Sequence, residues 1–163
     1  MRFPLVDRSL RLPLILALAM VGVFIINRNH ANRDLGFRDY GEQCGICHHG
    51  GRGQAAETPP LFGRIDQIAD SPEGKHYIID VLLNGLSGPI TATGQTFSWS
   101  MPAFNRRSDE EIARILTWVA RQGHMSDPPV FTAADIAAQR RHPRSSEEVH
   151  DEREHLDATH PLP

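Results

Sequence analysis

Cys44-Gly45-Ile46-Cys47-His48 holds every cysteine of this 163-residue chain, and its spacing is that of a haem attachment site. Two thiols separated by two residues can each add to a vinyl group on one edge of a porphyrin. The residue after the second thiol then lies over the ring face, where the His48 imidazole can meet the iron. A thioredoxin-like dithiol would open a helix within alternating strands and helices, and no such alternation surrounds this pair. Structural zinc requires a second Cys/His pair, which is missing. Two neighbouring cysteines also cannot provide the disulfide framework of a small secreted scaffold.

Iron bound by His48 on one side needs a sixth ligand, and a thioether there favours the reduced state. Met101 is the candidate, since Pro102 biases it towards an extended backbone suited to presentation from a loop. Of the other methionines, Met1 is the first residue, Met20 lies in an apolar run and Met125 follows the last clear amphipathic helix. Nine histidines make bis-imidazole ligation a rival, with His124 the most credible. His49 cannot reach the far face, and His76 reads as a surface position on a helix. His142, His150, His155 and His160 fall in a polar tail.

Arg2, Arg8 and Arg11 precede the apolar run Leu12 to Ile26, the pattern of an export segment, and by the positive-inside rule the rest faces outward. At about 1.5 Å per residue the run covers about 22 Å, against a hydrocarbon core of about 30 Å. Asn27, Arg28, Asn29 and His30 lack the small-x-small pattern of a cleavage site, which favours an uncleaved N-terminal anchor over a cleaved signal. The expected location is therefore the periplasmic side of a bacterial inner membrane, with a soluble periplasmic form as the alternative. A net charge of −3, one lysine (Lys75) and no basic run exclude nucleic acid as a partner.

Leu35, Tyr40 and Cys44 recur at helical spacing and predict a short helix from Arg33 that delivers the cysteine pair. Ser71 as N-cap, Pro72 at the first position and Asn84-Gly85 as the stop define a second helix. Residues 85–107, dense in Gly, Ser, Thr and Pro, read as a long ordered loop without strands. Ser108 and Glu111 form a capping box for a third helix carrying Ile112, Ile115, Leu116 and Val119, closed by Gly123. Thr132 and Asp135 cap a short docked helix reaching about Arg141. The expected organisation is a signal or anchor segment at 1–30, a haem domain at 31–123, an extension at 124–141, and a disordered His-rich acidic tail at 142–163.

From Gly36 to Gly123 the chain resembles the class I c-type cytochromes. Gly36 and Tyr40, eight and four residues before Cys44, are similar to the glycine and aromatic by which that family's first helix crosses its last, where Trp118 matches a common aromatic. Met101-Pro102-Ala103-Phe104 resembles the distal motif, and Pro59-Pro60-Leu61 the proximal loop. The resemblance implies that the Pro60 carbonyl supports His48. Residues 84–90 and 131–140 further resemble small cytochromes that accompany periplasmic dehydrogenases. Ser98-Trp99-Ser100 departs from the usual turn before the methionine. Together these likenesses imply an all-α cytochrome c fold around one covalently bound haem c, with Cys44 and Cys47 holding the ring and His48 and Met101 the iron. The implied function is single-electron transfer between redox partner proteins, such as a dehydrogenase or respiratory complex, rather than enzyme catalysis. A haem sensor or peroxidase-like enzyme with a labile sixth position is the alternative, and a fixed subunit of a larger oxidoreductase shares the chemistry.

Overall fold

The structure, a computed structural model, describes residues 8–54 and 57–163, with the side chains of 8–11 and 28–34 outside the description. Contacts divide the chain between Leu35 and Gly36. Helix α1, Arg8–Gln43, runs through this division. In its first part Leu12, Leu16, Met20, Phe24 and Ile26 are all more than half exposed. Among the described residues no helix is long and apolar enough to cross a membrane, so the expected retained anchor finds no support here. Arg2, Arg8 and Arg11, on which the export reading leans, lie outside the described side chains.

In the second part the last turns of α1 cross α5, Asp109–Ala120, at close range. A Cβ on Gly36 would stand 2.9 Å from Trp118 Cβ and 3.0 Å from the Arg114 carbonyl, so only hydrogen fits. The contact is locked by a charge: Arg114 donates from Nε and Nη2 to the buried Asp39 carboxylate at 2.9 and 2.7 Å. Tyr40, Phe37 and Phe62 pack around Trp118 with centroid separations of 4.8, 5.4 and 5.7 Å.

Helix α2, Gly45–His48, carries the end of the Cys-Gly-Ile-Cys-His pentapeptide, and α3, Ile65–Ile68, follows the proximal loop. Helix α4, Pro72–Asn84, matches its predicted span: Ser71 Oγ accepts from Gly74 N at 3.0 Å, and Gly85 ends the helix at φ +80. At α5 only half of the predicted capping box forms. Ser108 Oγ accepts from Glu111 N, while the Glu111 carboxylate turns to Arg107 at 3.5 Å. The core shared by these helices is centred on Ile79 and Ile112.

Two expectations are corrected. The long loop contains a hairpin, β1 Ile90–Ala92 against β2 Gln95–Phe97, in register Ile90↔Phe97. Its turn, Thr93-Gly94, has both φ values positive (51 and 75), the geometry that short hairpins prefer. Three-residue strands are too short to show an alternation in sequence. The tail expected to be disordered forms α7, Ser146–Thr159, packed on α4. Val149, Arg153 and Leu156, one face of that helix, are buried, and Ser145 with Glu148 forms a full capping box. Between them, α6, Ala133–Arg140, docks through buried Ile136 and through Arg140 Nε to Asp109 at 2.7 Å.

Candidate functional site

The pentapeptide is set by the end of α1. Cys44 N donates to Tyr40 O at 2.8 Å and His48 N to Cys44 O at 2.9 Å, so one turn of helix separates the first thiol from the imidazole. Cys44 is buried, Cys47 exposed, and both are free thiols. Burial, with Cys47 close by, pushes the Cys44 thiol up to about 12. The chain then reverses through His49 at φ 43 and Gly50 at φ 66. Gly51 brings its backbone against the Phe62 ring, where a Cβ would collide with the ring edge. Leu61 N and Phe62 N both donate to Gly51 O, folding the proximal loop back over the pentapeptide.

His48 is 7% exposed, and its Nδ1 lies 3.1 Å from the Pro59 carbonyl oxygen. Burial pulls the imidazole below its usual range, which keeps the ring neutral, and a proton on Nδ1 shared with Pro59 leaves Nε2 as the lone-pair nitrogen. Here the expectation for Pro60 is corrected by one residue. The Pro60 carbonyl accepts instead from Arg64 Nη1 at 2.8 Å. Spacing alone cannot tell two consecutive prolines apart, because successive carbonyls on an extended chain point to opposite sides. Thr58, which sequence reasoning missed, staples the loop by donating from Oγ1 to Cys47 O at 2.7 Å.

Met101 is fixed from the other side of the sequence. Its N donates to Leu86 O at 2.8 Å and Leu86 N returns to Met101 O at 3.0 Å, an isolated bridge just past α4. Gly85 makes that approach possible, since a Cβ there would sit 2.6 Å from Met101 O. Phe104 N then donates to Leu82 O at 2.7 Å, tying the distal loop to the same helix.

Cys47, His48, Pro59 and Met101 line one cleft, which encloses about 840 Å³ including its open mouth. Among the described residues His48 is the only histidine on its wall and Met101 the only methionine. The rival His124 lies elsewhere, its backbone N donating to Asp66 and its ring against Gly63. Cys44 stands behind the wall in the core, and the remainder of the wall is mainly apolar, including Ile65, Ile78, Val81 and Leu86, with Glu57, Arg64 and Arg153 as its charged members. A flat apolar ring with a metal centre fits this set: the Cys47 thiol at one edge with Cys44 behind it, a neutral imidazole and a thioether for the metal, and mainly apolar walls.

A mostly helical frame around a Cys-x-x-Cys-His pentapeptide and a loop methionine defines the class of monohaem c-type cytochromes, whose haem c is covalently bound. Residues 31–119, more than half of the chain, match the family described as cytochrome C oxidase, cbb3-type, subunit III, and the chain belongs to that family. It is 39% identical over 79 residues to a cytochrome c-552 of Thermus thermophilus, a match covering 48% of this chain and 60% of the relative. A second cytochrome c-552, from a named strain of Thermus thermophilus, is likewise 39% identical over 79 residues, 48% of this chain and 53% of the relative. The chain thus spans little more than half the length of these curated relatives.

Proposed function

We propose that this protein carries single electrons on the outer side of a membrane, with haem held through Cys44 and Cys47 and its iron between His48 and Met101. When bound, the haem supplies a one-electron Fe(III)/Fe(II) couple. The observation that carries the reading is the shared cleft: one neutral imidazole and one thioether on an apolar wall, each fixed by backbone hydrogen bonds. The clamp at Leu86 holds Met101 in place through its backbone, which opposes opening of the sixth position to substrate or oxygen. Pro59 fixes the orientation of His48, and the aliphatic wall keeps water from the metal. A group so enclosed exchanges electrons without exchanging ligands, and no nucleophile or general base is required of the chain.

The apolar run Leu12 to Ile26 behind an arginine-rich start supports export, and covalent haem suits an extracytoplasmic location. Intact mass of the native protein reads directly whether residues 1–30 are retained. The family description favours a second reading, in which the chain is a fixed electron-transferring subunit of a larger oxidoreductase. Copurification with an oxidase or dehydrogenase in a fixed ratio separates that from a diffusing shuttle.

The test is the optical spectrum of protein matured with haem. The ferric form should show the weak red band of methionine sulfur on iron, and Met101→Ala should abolish it and let carbon monoxide bind the ferrous form. A wild-type spectrum that lacks the band, or shifts at once with carbon monoxide, would instead establish an open sixth position and a sensor or peroxidase-like role.

A further inference from the structure

Two arginines stand on the mainly apolar wall of the cleft, Arg64 at 5% exposure and Arg153 at 4%; Glu57 also lines it but pairs with neither. Buried guanidinium groups are ordinarily paired with carboxylate side chains. These two are not. Arg64 donates from Nε to the Pro163 carbonyl at 2.6 Å and from Nη1 to the Pro60 carbonyl, and its Nη2 is buried without a partner. Arg153 donates from Nη1 to the Tyr77 hydroxyl at 3.3 Å and from Nη2 to the Thr91 carbonyl at 2.7 Å. Among the described residues no side-chain carboxylate pairs with either group.

We infer that Arg153, acting with Arg64, seats the carboxylate groups of the cofactor, so that the C-terminal helix α7 closes that end of the cleft. The inference rests on the haem reading above. Haem c carries its two carboxyethyl arms on the edge away from the thioether bonds, and they are the anions such a cleft must satisfy. Among the described residues Arg64 Nη2 has no acceptor, and a carboxylate in the cleft provides one. Burial and the like charge of Arg153 pull Arg64 down to about 10, a tension that an anion between them relieves. Tyr77 and Thr91 hold Arg153 from α4 and the hairpin, which gives the hairpin and α7 a common purpose at this end of the cleft. Arg153 lies outside the residues that match the family, 31–119, so this support is an addition of the C-terminal segment. Arg153 is here a positioning residue for the cofactor, with no part in the redox step itself.

The test uses the haem-loaded full chain, labelled with ¹⁵N-arginine and reduced to its diamagnetic form. Nuclear Overhauser contacts should run from the Arg153 and Arg64 guanidinium protons to the methylenes of the carboxyethyl arms. Arms that contact other residues and not Arg153 overturn the inference, and no variant has to fold for that result. As a second readout, Arg153→Gln should lower the reduced-to-oxidised ratio at a fixed ambient potential by about threefold to tenfold, because a buried positive charge beside the ring is lost. Arg153→Lys should recover most of that ratio. Tyr77→Phe, which removes a hydrogen bond but no charge, should leave it near wild type, and an equal shift in Tyr77→Phe would show a purely structural role and overturn the inference. Covalent haem and the methionine band are read on the same samples: their absence in the wild type defeats the haem reading itself, whereas their presence without Arg153 contacts defeats only this inference.

Discussion

A methyl group at Gly36 would press on Trp118 and on the α5 backbone at once, and neither is the free end of a flexible side chain. Gly36→Ala should therefore destabilise the haem-loaded protein by about 1–3 kcal/mol, the usual cost of overpacking, read as a lower denaturation midpoint with an unchanged spectrum. The individual residues of the site were the most legible part of the chain. Cys44, Cys47 and His48 are named by a chemistry that calls for two thiols and an imidazole close together in the chain, and Met101 by a proline and its place in a loop. Pro59 was hidden behind Pro60, because which of two adjacent carbonyls faces an imidazole is a matter of how the loop turns. Arg64 and Arg153 were illegible for a different reason. A charged residue reads as solvent-facing until its surroundings are known, and Arg153 sat in a segment dominated by charge.

Among the elements, α4 and α5 were readable because strong caps bracket an apolar stripe, whereas α7 offers only Val149 and Leu156 as buried apolar members. Isolated, such a helix would not persist, and its order comes from docking on α4. Leu156→Ala should cost about 2–4 kcal/mol and raise amide hydrogen exchange across 146–159 above that of α4. The same interface has a pH dependence. Burial, and Asp80 nearby, raise Glu152 above its ordinary value, and burial likewise raises Asp80, in both cases against the pull of Arg144. A carboxyl raised in the folded state binds more protons folded than unfolded, so stability falls as the pH rises from about 4 through the folded value. Glu152→Gln removes one of these titrations. Its melting temperature relative to wild type should therefore rise as the pH is raised from about 4 towards neutrality, and a pH-independent difference would contradict the assignment.

For the molecule as a whole, charge is nearly balanced, with a net −3 and a single lysine. Long-range steering of a partner is then weak, and electron-exchange rates with a protein partner should change only modestly between low and high salt; stopped-flow rates that fall steeply with salt would refute this. By itself the sequence determined the cofactor, the candidate thiols and candidate metal ligands that would hold it, the helices α4, α5 and α6, and the class of fold. These rest on bond-forming chemistry and on capping patterns, which are local in the chain. Only the tertiary structure decided that Pro59 supports His48, that residues 90–97 form a hairpin, and that the charged C-terminal segment folds as α7 and buries an arginine in the cleft. Each of those depends on contacts between residues far apart in sequence, such as Arg153 with Tyr77 and Thr91, or on the direction in which a carbonyl points, and neither is written in composition or periodicity.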